Sequence, residues 1–161
     1  MNLVIANRQR TKKINAHLLR QITSELLAEL KITEADLGIA FVGAKEMARV
    51  NWQFLQHEGS TDVITFDHIF PNFQLPTSNS QIHGELFICV DEAVKQAKEF
   101  KTSWQSEILR YLVHGVLHLI GYDDLKPALR RKMKRAENRL VRQLEKRFLL
   151  AQLSRTAKLR A

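Results

Sequence analysis

A single cysteine, Cys89, stands in the 161 residues. It excludes an intramolecular disulfide and suits a reducing compartment. Its apolar neighbours point to a packed thiol rather than a nucleophile. No apolar stretch approaches the ~18 residues of a membrane span. Residues 1–6 make too short a run for a signal peptide, and Asn7-Arg8-Gln9-Arg10 follows at once. A soluble, cytoplasmic protein without membrane contact is expected, a monomer by default. Three catalytic signatures are also missing: a Gly-x-Ser-x-Gly elbow, a Gly-rich loop ending in Gly-Lys-Ser/Thr, and a Cys-x-x-Cys pair. Acidic residues are scarce toward the C-terminus. Residues 126–161 hold 13 Lys and Arg against Glu137 and Glu145, a net +11, whereas residues 1–125 hold 12 against 15, a net −3. A basic arm on a mildly acidic body is an electrostatic footprint for a polyanion. A merely solvated helix face is the competing explanation, but the acids that would form i,i+4 pairs are nearly absent.

What the chain does have is the run His114-Gly115-Val116-Leu117-His118-Leu119-Ile120-Gly121-Tyr122-Asp123-Asp124. Histidines at i and i+4 lie on one helix face, with Cβ atoms roughly 5–6 Å apart. Two imidazole nitrogens at that spacing reach one zinc ion at about 2.0–2.1 Å each. Gly121 supplies the left-handed residue that ends such a helix. The returning chain offers Asp124 as a third, carboxylate ligand, with Asp123 as the alternative. Three protein ligands and an open fourth position describe a catalytic zinc site. The competing explanation is two core histidines, each with its own acceptor, because the helix is apolar on nearly every side. The metalloprotease motif places glutamate directly after the first histidine. Gly115 stands there, so a peptidase of that design is disfavoured.

His114-Gly-x-Leu-His118-Leu-x-Gly121-Tyr122-Asp123 resembles the signature of the YbeY family, bacterial rRNA maturation factors and proposed endoribonucleases. Ser60-Thr61-Asp62-Val63-Ile64-Thr65-Phe66 is similar to the family's Pro-Thr-Asp-Val-Leu-Ser-Phe strand. His83-Gly84-Glu85-Leu86-Phe87-Ile88-Cys89 is similar to its Leu-Gly-Asp-Ile-x-Ile-Cys strand. The likeness covers about residues 1–148, leaving 149–161 as a basic tail expected to fray. It implies a zinc-dependent endoribonuclease that acts on ribosomal RNA, with the small ribosomal subunit or its assembly factors as partners. It also makes Asp62 and Glu85 candidate acid–base groups. Four departures are visible. Asp124 replaces the third histidine, Leu55 an arginine, Glu85 an aspartate and Ser60 a proline. Zinc accepts a carboxylate, but the anionic ligand makes a bound water less acidic and harder divalent ions better occupants. The alternative is a non-catalytic ribosome-assembly or RNA-binding factor with a structural metal, which Leu55 favours. An iron oxygenase site of two histidines and one carboxylate is a third reading.

The remaining pattern predicts one α+β domain, a small mixed sheet covered by helices, with the metal at the end of a buried helix. Strands are expected at 3–8, 38–42, 63–66 and 85–90. A helix over 11–30 carries the stripe Ile14, Leu18, Ile22, Leu26 and Leu30, with His17 beside it. A second helix, 44–56, turns Met47, Val50 and Phe54 inward. Residues 67–83, with His68 and His83, read as a long loop. Asp91 is expected to cap the next helix, and Thr102-Ser103-Trp104-Gln105 resembles a capping box before the histidine helix. Pro127 opens the last helix. Leu129, Met133, Ala136, Leu140, Leu144 and Phe148 make its buried stripe. Lys126, Arg130, Arg131, Lys134, Arg135, Arg139 and Arg142 are its candidate RNA contacts.

Overall fold

Four strands form one sheet in the order β1-β2-β4-β3 in the computed structural model, which describes residues 1–68 and 81–155. The strands are β1 (Asn2–Arg8), β2 (Glu34–Val42), β3 (Val63–Asp67) and β4 (Gln81–Cys89). β1, β2 and β4 run parallel, and β3 pairs antiparallel to β4 at one edge. The helices are α1 (Ala16–Glu29), α2 (Ala44–Val50), α3 (Val90–Phe100), α4 (Trp104–Leu119) and α5 (Pro127–Arg147). The expected mixed sheet under helices is the architecture observed.

The period-2 alternation of the strands separates two faces. On one face Leu37, Ile39, Phe41, Ile82, Leu86 and Ile88 are fully buried in the main core, together with Leu19, Ile22 and Leu26 of α1 and the apolar side of α4. On the other, Val42, Ile64 and Cys89 form a smaller cluster with Met47 and Val50 of α2. The histidine helix lies against the first face at very short range. A Cβ on Gly115 would stand 2.8 Å from Leu86 Cδ2, and one on Gly84 would stand 2.5 Å from the Phe66 carbonyl and 2.9 Å from Leu119 Cδ2. Glycine at both positions is what lets α4 rest on β4. The same contact explains why no glutamate can follow His114: its side chain would have to occupy space held by β4.

Several local expectations shift. α1 begins at Ala16 rather than at residue 11, because the Asn15 side chain accepts from Leu18 N at 3.0 Å and starts the helix there. The helix expected over 44–56 changes to a π turn, Asn51–Leu55, which ends at Gln56 in the left-handed region. Its Phe54 is 57% exposed rather than inward, and rests edge-on against Phe66. Asp91 caps a different helix from the one it begins. It accepts from Ala44 N at 2.6 Å, the first residue of α2, and from Thr11 Oγ1, whereas α3 has no side-chain cap. His83 belongs to β4, opposite Asp36, and not to a loop. Pro71 and Pro76 lie outside the described residues. In α5, Leu129 is exposed, while Met133, Ala136, Leu140 and Leu144 are buried as expected. Residues Leu150–Ser154 form a 3-10 turn instead of fraying, with Leu153 buried and its carbonyl accepting from Asn15 N at 2.7 Å. Residues 156–161 lie outside the description. No described helix is long and apolar enough to cross a membrane.

Candidate metal centre

The site begins with how α4 stops. Ser103 caps its start, accepting from Ser106 N at 3.1 Å. At its end Gly121 adopts φ 103°, where an L side chain is strained. Gly121 N then bonds the His118 carbonyl at 3.1 Å, and Tyr122 N bonds the Leu117 carbonyl at 3.0 Å. These two bonds are a Schellman termination. The reversal brings the Tyr122 carbonyl to 3.0 Å from His118 Nδ1. A carbonyl only accepts, so Nδ1 carries the proton and Nε2 is left with its lone pair free.

His114 is fixed from α5. Its Nδ1 lies 2.9 Å from Glu137 Oε1, so this ring too donates from Nδ1 and presents a bare Nε2. Glu137 is 3% exposed and shares Oε2 with Arg110 Nη1 at 2.6 Å and Lys134 Nζ at 2.8 Å. Burial alone would raise its pKa. Hydrogen bonds from His114, Lys134 and Arg110 more than reverse this and hold the carboxyl at about 2. It is therefore a carboxylate throughout the ordinary pH range.

The two Nε2 atoms face each other at 3.1 Å. Asp124 Oδ2 lies 3.5 Å from His118 Nε2 and 4.0 Å from His114 Nε2. Two imidazole nitrogens and a carboxylate at these distances can share one cation between them. Bonds of about 2.0–2.1 Å at a tetrahedral angle place donor atoms about 3.3–3.4 Å apart. The three donors come close to that spacing and form the group able to hold a metal among the described residues. Asp123 is used elsewhere: its Oδ1 accepts from Leu125 N at 2.8 Å. Half-buried histidines whose Nδ1 is held by a carboxylate or a carbonyl have the support that metal-bound imidazoles ordinarily have.

Two hollows flank His114. One of about 450 Å³ is bordered by His114, Asp124, Arg130, Arg131, Lys134 and Glu137. The other, about 440 Å³, reaches from His114 past Arg110 and Tyr111 to Asp62. Asp62 thus lines the same hollow as His114, although its Oδ1 already accepts from Val63 N at 2.8 Å. Tyr111 donates to Gln96 Oε1 at 2.6 Å, and burial followed by the Asp62 charge pushes its hydroxyl far up, keeping it protonated. Glu85 is not brought to the site. It alternates with Leu86, whose side chain meets α4, and so stands on the opposite face beside His68 Nε2 at 3.1 Å. The sequence-level pairing of Glu85 with the metal cleft fails on strand parity. Leu55 ends the π turn and is exposed. Of the basic residues, Lys126 precedes α5, Arg130, Arg131 and Lys134 border the first hollow, and Arg135, Arg139 and Arg142 continue along the exposed side.

Glu137 and Arg110 were not among the expected site residues. A signal for Glu137 existed. It is one of only two acids in a strongly basic segment and falls between Met133 and Leu140 on the buried stripe. Nothing in the local pattern marks Arg110.

Comparison with known proteins places this geometry. The family described as "Endoribonuclease YbeY" matches residues 4–145. The chain is 33% identical over 144 residues to an endoribonuclease YbeY of Chlorobium luteolum, covering 89% of this chain and 98% of that one. It is 30% identical to the Geobacter metallireducens protein of the same name, over 93% of this chain and all of the other. A Thermotoga maritima protein solved in solution shares the fold, with a TM-score of 0.63 at 22% identity over 90% of each chain.

Proposed function

This chain belongs to the endoribonuclease YbeY family, and from that premise we propose that it cleaves RNA phosphodiesters during ribosomal RNA maturation. The observation that carries the proposal is the convergence beside a basic helix of one carboxylate and two Nε2 atoms, each on a ring anchored through its Nδ1. His114, His118 and Asp124 would hold a divalent ion, zinc in the first instance. When bound, such an ion supplies Lewis acidity toward a phosphoryl oxygen and a more acidic water. Glu137 and the Tyr122 carbonyl fix the two ring tautomers. Lys126, Arg130, Arg131, Lys134, Arg135, Arg139 and Arg142 would hold the RNA backbone, and Asp62 is the remaining acid–base candidate. The catalytic unit is residues 1–148, working as a cytoplasmic monomer on the small ribosomal subunit or its precursors. The relatives described above are named endoribonucleases, which disfavours the non-catalytic alternative.

Elemental analysis of wild type and Asp124→Ala tests the ligand set. About one ion per chain, lost or loosened in the variant, is expected, and an unchanged content overturns the assignment. Cleavage of a ribosomal RNA precursor by wild type but not by His118→Ala tests the activity. Cleavage intact in that variant would leave the histidines without a catalytic role.

A further inference from the structure

On the side of the sheet away from α4, the chain displays cations that the metal centre does not use. A concavity of about 540 Å³ lies where β1 ends and α2 begins, lined by Arg8, Arg10, Thr11, Lys45, Glu46 and Arg49 among others. Arg8 and Arg49 share Glu46, at 2.8 and 3.4 Å. Arg10 and Lys45 have no ion pair among the described residues, and both are exposed. Asp91 accepts from Ala44 N and Thr11, neutral donors that leave its charge in place. Four cations thus face two carboxylates, Glu46 and Asp91, and positive charge remains in excess.

Aromatic surface adjoins the cations. Trp52, 58% exposed, stands in the π turn that follows α2, three residues beyond Arg49. Arg8 itself lies over the Phe87 ring at 5.7 Å, and Phe87, Phe66 and Phe54 continue edge to face across the sheet. Large exposed aromatics beside unpaired cations suit a ligand that carries both phosphates and flat bases.

We propose that Arg8, Arg10, Lys45 and Arg49, with Trp52, form a second RNA contact that takes single-stranded RNA, phosphates in the basic concavity and a base on the indole. The contact rests on the RNA-cleaving reading above and adds to it a second grip on the substrate. α2 covers one face of the sheet, whereas α5 packs on α1 and on α4, the helix that covers the other. The two surfaces would hold separate stretches of the same RNA.

Trp52 reports on this contact directly. A labelled single-stranded RNA is titrated into the full chain in EDTA, following RNA anisotropy and tryptophan emission together in wild type and in Trp52→Phe. Binding should quench the wild type and leave Trp52→Phe emission nearly constant, while duplex RNA quenches neither. Trp52→Ala should weaken single-strand binding at least about fivefold. The Arg10→Gln/Lys45→Gln double variant removes no ion pair and should lower the salt slope of log affinity by about 1.4. Anisotropy that rises normally with silent Trp52 and an unchanged double variant overturns the second contact and leaves α5 as the RNA surface. No anisotropy change at all defeats both surfaces together. Quenching by anionic vesicles but not by RNA reassigns the patch to a membrane surface and overturns the proposal.

Discussion

The two faces of the sheet are built to different tolerances. Against one, α4 rests so closely that neither Gly84 nor Gly115 has room for a methyl group. Against the other, α2 covers a small cluster and leaves Phe54 and Trp52 largely exposed. Metal ligation needs the first kind of surface, because donor atoms must be held to a few tenths of an ångström. Contact with a flexible polyanion needs only charge and flat apolar area, which the second kind provides. Tight packing and polar fixation therefore coincide at His114, His118 and Glu137, and loose packing coincides with the basic concavity.

Perturbing each face sharpens that contrast, and the largest response belongs to Glu137. Glu137→Ala leaves Arg110, Lys134 and His114 facing an empty buried site. A loss of about 3 kcal/mol is expected in urea unfolding, with metal affinity falling 10- to 100-fold by roughly the second-shell rule. Near-native stability and metal content in that variant would mean that His114 needs no anchor. Gly115→Ala comes next. Its methyl group must displace Leu86, costing about 1–3 kcal/mol, readable as a lower thermal midpoint. On the open face Phe54→Ala removes one edge-to-face pair and should cost about 0.5–1.5 kcal/mol, so a loss as large as that of Gly115→Ala would erase the contrast. Leu55→Arg, at an exposed position, should change stability by no more than about 0.5 kcal/mol. It introduces the arginine that the resemblance to the family implies at this position and should raise RNA cleavage a few-fold, measured as initial rate at low salt. The smallest response is expected from Cys89. Burial raises its thiol pKa, so a disulfide reagent should leave it untouched at pH 8 until denaturant is added.

The parts of the site that the sequence reveals are those encoded within a few residues. The His114–His118 spacing, Gly121 as the terminating residue and Pro127 at the start of α5 all depend on local geometry, whereas the cap of α4 falls on Ser103, one residue after the Thr102 of the expected box. The sheet order and the strand parity do not. Motif similarity makes Glu85 an acid–base candidate, and a register that only the folded sheet defines puts it on the other face. Asp91 looks like the cap of its own helix, yet its carboxylate reaches α2 through tertiary packing. Glu137 could be seen as an acid out of place on an apolar stripe, but its partner on another helix could not. The choice between Asp123 and Asp124 turned on a single backbone bond to Leu125.

The short connection between α4 and α5 has a consequence for how the protein is made. Every donor and anchor of the metal centre, from Arg110 to Glu137, belongs to one helical hairpin, whereas the sheet beneath it joins segments from distant parts of the chain. Closing a short loop costs little chain entropy. Synthesis from the N-terminus delivers all four strands before that hairpin appears. The platform can therefore assemble first, and the candidate ligands come into register only as α5 docks on α4 and seats Glu137 against His114.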